Sequence, residues 1–94
     1  MSTVKKPYLL PEEVTLHTVN AVLAAALLAM EGGQNTFDFS AVRVLDSTVL
    51  AFILACRRAA ERSQIALQCI NLSPNLNALA DLYGVIPFIS GEVV

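Results

Sequence analysis

The chain has 94 residues, of which 55% are hydrophobic and only 15% are charged, and its formal net charge is -2. Apart from the short cluster Arg57, Arg58 and Arg62, the basic residues form no stripe that could follow a phosphate backbone, so nucleic-acid binding is not expected. Two separated cysteines and one histidine argue against a disulfide framework or a metal site, and we predict a single domain, residues 1–94, with no metal or cofactor.

The first predicted element is a short strand at residues 8–10, which Pro11 ends. The preceding lysines, Lys5 and Lys6, are not followed by the apolar segment of a signal peptide, because Pro11 and two glutamates interrupt the apolar residues at once. We therefore expect a protein that stays in the cytoplasm.

Residues 15–31 are predicted to form the first helix, because apolar residues recur at steps of three and four until Gly32 and Gly33 end the pattern. The residues expected on its core face are Leu16, Val19, Leu23, Ala26, Leu27 and Met30. Its outer face carries Ala21, Ala24, Ala25 and Leu28. That face is apolar enough to leave lipid binding open as an alternative to a protein partner. The helix is nevertheless too short to span a membrane, which takes roughly 20 apolar residues.

Two strands and a helix are predicted in the middle of the chain. Residues 36–40 alternate apolar and polar side chains, which is the mark of a strand. The second helix begins at Asp46, Ser47 and Thr48 and runs to about Arg62. The next strand, residues 65–70, is short and rich in branched residues.

The last helix is predicted to begin at Pro74, with Ser73 as its N-cap, and Gly84 ends it. Residues 85–89 are predicted to close the chain as a short strand or an extended tail. Alternating strands and helices imply a mostly parallel sheet, since parallel neighbours need crossover connections. We therefore predict an α/β fold with a mostly parallel sheet of about four strands and three helices mainly on one face.

A polar corner, made of Asp46, Ser47 and Thr48, stands at the predicted junction between a strand and the second helix. Ser47 is expected to cap the helix, because its side-chain oxygen can accept a hydrogen bond from a free backbone N–H. A phosphate on Thr48 or Ser47 would meet the same N–H groups, although it would add about -1.5 to -2 charge beside Asp46.

The second helix also has two distinct faces on a wheel of 100° per residue. The predicted core face consists of Val49, Leu50, Ile53, Cys56 and Ala60. The opposite face, the outer strip, consists of Thr48, Ala51, Ala55, Arg58 and Arg62, with Phe52 and Ala59 at its edge. Small side chains let another surface come close, and an aromatic residue beside an arginine is a frequent interface anchor. Alanine is also simply a good helix former, so a docking face and a plain surface both remain open.

The chain shows no constellation that would make it an enzyme. It lacks a histidine in a plausible triad, a glycine-rich phosphate loop and a metal cluster. We therefore expect a protein that binds a partner rather than a catalyst.

The order and spacing of residues 37–85 resemble the STAS domain, the fold of bacterial anti-sigma factor antagonists and of transporter-associated relatives. Residues 38–40 (Asp-Phe-Ser) match the family's Asp-Leu-Ser strand end. Residues 46–50 (Asp-Ser-Thr-Val-Leu) match its Asp-Ser/Thr-Ser/Ala-Gly-Leu helix start, except that Val49 replaces the glycine. That branched side chain is expected to narrow the approach to the helix start, which disfavours phosphorylation relative to docking.

Residues 76–85 (LNALADLYGV) are similar to the last helix of small, stand-alone MlaB-like proteins within the family. These are the cytoplasmic subunits of the Mla ABC transporter, which moves phospholipid between the membranes of Gram-negative bacteria. The resemblance implies a non-enzymatic subunit that binds and supports an MlaF-like ATPase subunit, maintains outer-membrane lipid asymmetry, and is peripheral at the inner membrane through that partner. We expect the contact to involve Asp46, Ser47, Thr48, Ala51, Phe52, Ala55 and Arg58.

The alternative that the resemblance leaves open is an anti-sigma factor antagonist, a Ser/Thr phospho-switch that regulates transcription. Thr48 matches the position that is phosphorylated in those antagonists, and Ser47 matches the hydroxyl of the MlaB-like group.

Overall fold

The computed structural model describes residues 6–83, with side chains described as far as Leu79. Its strands are β1 (Tyr8–Leu9), β2 (Glu13–Val14), β3 (Thr36–Asp38), β4 (Val44–Leu45) and β5 (Gln68–Ile70). Its helices are α1 (Val19–Glu31), α2 (Thr48–Arg62) and α3 (Pro74–Tyr83). The predicted α/β class and the three helices are therefore confirmed.

The strands pair in parallel throughout residues 6–83, in a three-stranded sheet and a separate two-stranded one. In the larger sheet β3 lies between β1 and β5, with Phe37 opposite both Tyr8 and Cys69. In the smaller sheet β2 pairs with β4, and Val14 lies opposite Leu45. A single sheet of about four strands is not confirmed, and the predicted closing strand at 85–89 lies outside the described residues.

Of the two short strands, β2 was not predicted from the sequence, and β4 was predicted only as a strand end before Asp46, without bounds. Each has two residues, and two residues cannot show the alternation by which a strand is recognised. Their pairing nevertheless determines the candidate site, because it joins the chain just before α1 to the chain just before α2.

The hydrophobic core combines α1, α2 and the strands, and α1 packs against α2. On α1 the buried side chains are Val22, Ala26 and Met30. The prediction that Leu16 faces the core is wrong, because the helix begins three residues later and the Leu16 side chain is 71% exposed. The predicted core face of α2 is confirmed at all five positions, and the predicted outer face of α1 is exposed.

Arg57 does not belong to an exposed basic cluster with Arg58 and Arg62. Its Nη1 donates a hydrogen bond of 2.7 Å to the Leu67 carbonyl oxygen, and its Nη2 lies 3.9 Å from Cys69 Sγ. Cys56 and Cys69 are free and buried. Burial raises the pKa of the Cys56 thiol to about 12 and also raises that of Cys69. Both thiols therefore stay protonated and unreactive at neutral pH.

Among the helices of the described residues, none has the length and apolar character that crossing a membrane requires. The same part of the chain holds no group of three or more His, Cys, Asp or Glu residues that could bind a metal ion.

Candidate functional site

The polar corner lies where β4 passes into α2, next to the end of β2. Because β2 and β4 are parallel, their carboxyl ends lie at the same edge of the two-stranded sheet. Val14 is paired with Leu45, so the residues that follow, Thr15 and Asp46, leave the sheet side by side. Short strand pairing thus brings together two segments that are about 30 residues apart.

The Asp46 carboxylate binds both segments. Its Oδ1 accepts a hydrogen bond of 2.9 Å from the Thr48 N–H, at the start of α2. Its Oδ2 accepts one of 3.1 Å from the Leu16 N–H. The predicted capping role of Ser47 is wrong: within the described residues Ser47 occupies the N-cap position but makes no side-chain cap hydrogen bond. Asp46 performs that role instead, and the Ser47 side chain is exposed.

The loop between β2 and α1, residues 15–18, is held by its own hydrogen bonds. The Thr15 N–H donates to Thr18 Oγ1 at 3.0 Å, and the His17 N–H donates to Thr15 Oγ1 at 3.2 Å. The two threonine hydroxyls donate to Glu13, Thr15 to Oε2 and Thr18 to the carbonyl oxygen. We call this segment the β2–α1 loop. These side-chain hydrogen bonds hold it in place before α1 begins at Val19.

The Asp46 carboxyl is held in its ionised form. The hydrogen bond from the Leu16 N–H, followed by that from the Thr48 hydroxyl, lowers the pKa of Asp46 below its ordinary value of 3.8. The exposed His17 ring also lowers this pKa through its charge. At neutral pH the negative charge is therefore present, and both oxygens remain available as acceptors.

Replacing Asp46 by asparagine is expected to destabilise the protein at pH 7 and to destabilise it less in acid. Asparagine offers one acceptor oxygen where the carboxylate offers two. Because the folded-state pKa is lowered, the stabilisation is present above the unfolded-state pKa and is lost as the pH falls through the folded value. Urea unfolding at pH 7 and pH 3 should show a smaller difference in the free energy of unfolding between wild type and Asp46→Asn at pH 3 than at pH 7. A gap of equal size at both pH values, or one also seen for the exposed control Glu61→Gln, would contradict this.

Most residues of the outer strip are exposed or partly exposed, as the helical wheel predicts. Ala51, Arg58 and Arg62 are exposed, and Thr48 and Ala55 are partly exposed. Phe52 is an exception: its side chain is 1% exposed and packs in the core. The prediction that Phe52 contacts a partner at the edge of the strip is therefore corrected, because the core face of α2 is wider than the wheel indicated.

Val49 also faces the core, and it is 0% exposed. A side chain that points inward does not narrow the approach to the start of α2. The expectation that Val49 obstructs this approach is therefore wrong, and the hydroxyls of Ser47 and Thr48 are not shielded by it.

Sequence reasoning missed two residues of this site: Leu16, which donates a hydrogen bond to Asp46, and His17, whose ring acts electrostatically on Asp46. A signal for them was present in the two threonines of the loop. Thr15 and Thr18 are typical of helix N-termini, and taking Thr18 as the cap would have started α1 at Val19. Leu16 would then have been recognised as an exposed loop residue.

Comparison with known proteins places the chain in a family. A family model described as "Mlab, STAS domain" matches residues 10–87, which is most of the chain and includes the polar corner, the outer strip and the β2–α1 loop. The comparison with curated proteins and the comparison with solved structures gave no match. Together with the parallel α/β fold, the family match shows that the chain belongs to the STAS domain family.

Proposed function

We propose that the protein is a non-enzymatic STAS subunit that binds and supports the MlaF-like ATPase subunit of an ABC transporter for phospholipid. Membership of the STAS domain family indicates a protein-interaction or regulatory role. The proposal narrows this role, and its support is the family model's own description, which names MlaB. The protein would then act in the cytoplasm, peripheral to the inner membrane through its partner, and serve outer-membrane lipid asymmetry.

The observation that carries the proposal is the exposed surface formed by the polar corner and the outer strip, which we call the docking surface. Next to the hydroxyls of Ser47 and Thr48 it presents the small side chains of Ala51 and Ala55, and after Asp46 its next charged side chain is Arg58. Small residues allow a partner's backbone or side chains to approach closely. An exposed guanidinium can pair with a carboxylate of the partner in two parallel hydrogen bonds.

Thr48→Arg is expected to weaken binding of the ATPase subunit by about tenfold or more, because a long charged side chain would be forced into a close contact. The test is co-purification of the variant with the MlaF-like ATPase subunit of the same genome, followed by titration. Asn77→Arg, which adds the same side chain at an exposed position on α3, should bind like wild type. Equal binding by Thr48→Arg would remove the docking surface from the proposal, and no binding by wild type would overturn the function itself.

A phospho-switch that regulates transcription is the second candidate, and two observations favour it. The Ser47 hydroxyl is exposed at the start of α2, and Val49 faces the core instead of covering that start. A phosphate there would lie at the positive end of the α2 dipole, although the N–H groups of Thr48, Val49 and Leu50 already donate to Asp46 and Ser47. Intact-mass measurement of the protein taken from its native cells tests this candidate, which requires a gain of one phosphate on Ser47 or Thr48. An unmodified mass under all growth conditions would contradict it.

A further inference from the structure

We infer that Asp46 is a positioning residue that ties the β2–α1 loop to the start of α2, and that it thereby presents Leu16 as an apolar anchor for the partner on the docking surface. The inference rests on the proposed function, since it takes the ATPase subunit as the partner. It adds to that surface a residue from a different part of the chain, and it states the chemistry of the partner: an apolar pocket for a leucine beside the contact with Ala51 and Ala55.

The tie between the two segments is direct. One carboxylate oxygen of Asp46 accepts the N–H of Leu16 at 3.1 Å, and the other accepts the N–H of Thr48 at 2.9 Å. The Leu16 backbone is therefore fixed next to the first turn of α2, adjacent to Ser47 and Thr48. Before the β2–α1 loop, the same two segments are joined by the β2–β4 pairing, which ends at Val14 and Leu45; the Asp46 carboxylate extends that connection to Leu16.

The loop that carries Leu16 is internally braced while the leucine itself is not buried. The hydroxyls of Thr15 and Thr18 form hydrogen bonds with the Thr15 N–H, with the His17 N–H and with Glu13, so the loop is ordered by its own contacts. The Leu16 side chain is nevertheless 71% exposed. An apolar side chain on a segment that is already ordered loses little further entropy on binding, which is what makes it effective as an anchor.

Exposure alone does not single out Leu16, because scattered apolar residues are normal on a protein surface. Leu28 is 66% exposed on α1, and Leu9 and Val44 are also exposed. Leu16 differs from these in position, since its backbone is tied by a carboxylate to the helix that carries the outer strip. Leu28 therefore provides a matched control of the same residue type and similar exposure.

A double-mutant cycle with the ATPase subunit tests the inference. Leu16→Ala and Asp46→Ala are each expected to weaken binding by about tenfold. In the Asp46→Ala background, Leu16→Ala should weaken binding by no more than about twofold further, because a leucine that is no longer positioned contributes little to the contact. Leu28→Ala should bind like wild type. Asp38→Ala should also do so, although Asp38 makes comparable bonds at the other sheet, accepting from the Ser40 N–H and from Asn71 Nδ2.

A readout without the partner separates positioning from general destabilisation. In Asp46→Ala, exchange of the Leu16 amide hydrogen with solvent should accelerate by about tenfold or more relative to wild type, whereas Asp38→Ala should leave it unchanged. Additive losses in the cycle, or an unchanged Leu16 amide in Asp46→Ala, would overturn the positioning role. Full binding by Leu16→Ala to an ATPase that wild type also binds would overturn the anchor and leave the proposed function standing, whereas failure of wild type to bind would overturn the proposed function.

Discussion

Replacing Phe52 by alanine is expected to lower the free energy of unfolding by about 3–5 kcal/mol, since it removes a large buried aromatic ring and leaves a cavity. The Phe52 side chain is 1% exposed and is among the largest fully buried side chains of the described residues. A loss of that size is a substantial part of the roughly 5–15 kcal/mol by which domains are usually stable. Urea unfolding followed by circular dichroism measures it directly.

The same variant decides between two roles for this aromatic residue. Leu28→Ala, at an exposed position on α1, should change the free energy of unfolding by no more than about 0.5 kcal/mol. If Phe52→Ala were as stable as wild type but lost its partner, then Phe52 would be an interface anchor and not a core residue. We expect the opposite result: a less stable protein whose folded fraction still binds.

Val49→Gly, which restores the residue that the family pattern has at this position, is expected to destabilise the protein by about 2–4 kcal/mol. The buried valine side chain, 0% exposed, contributes about 1.5–3 kcal/mol through its apolar surface. Glycine inside the first turns of a helix costs roughly 0.5–1 kcal/mol more than alanine. Both contributions come from the core and the backbone, and neither depends on a ligand.

Comparing Val49→Ala with Val49→Gly separates these contributions by urea unfolding. The stability lost in Val49→Ala should report the buried side chain that is removed. The further loss in Val49→Gly should report the cost of glycine in the helix backbone. A glycine variant as stable as wild type would mean that this position is not part of the core. ATPase binding by the folded variant should be unchanged, because the side chain at position 49 points away from the docking surface.

The helices were predictable because each combines a long apolar period with local end signals. Helix α3 begins at Pro74 as expected, and the Leu76 N–H donates to Ser73 Oγ at 3.1 Å, which confirms the predicted N-cap. Helix α2 ends at Arg62 as predicted. Such signals depend only on neighbouring residues, so the sequence contains all the information that determines them.

Predictions that required knowing what packs against a helix were less accurate. Phe52 lies between the two faces of α2 on a wheel, and a wheel describes one helix without its neighbours. Whether a boundary residue is buried depends on the elements that cover it, and in the folded protein it is buried. The prediction for Leu16 was wrong for a related reason. Leu16 fits the apolar spacing of α1, but it lies in the β2–α1 loop, before the helix begins at Val19.

The sequence by itself determined the α/β class, the extent of α2, the start of α3, the family resemblance and an outer strip of small residues followed by arginines, because these follow from local periodicity and composition. Only the tertiary structure decided that Asp46, rather than Ser47, caps α2 and holds Leu16 beside it. The hydrogen bond from the Leu16 N–H to Asp46 joins residues 30 positions apart, and it depends on the pairing of two strands of two residues each. Strands so short leave no periodic signal, so their pairing is determined by long-range packing and not by local sequence.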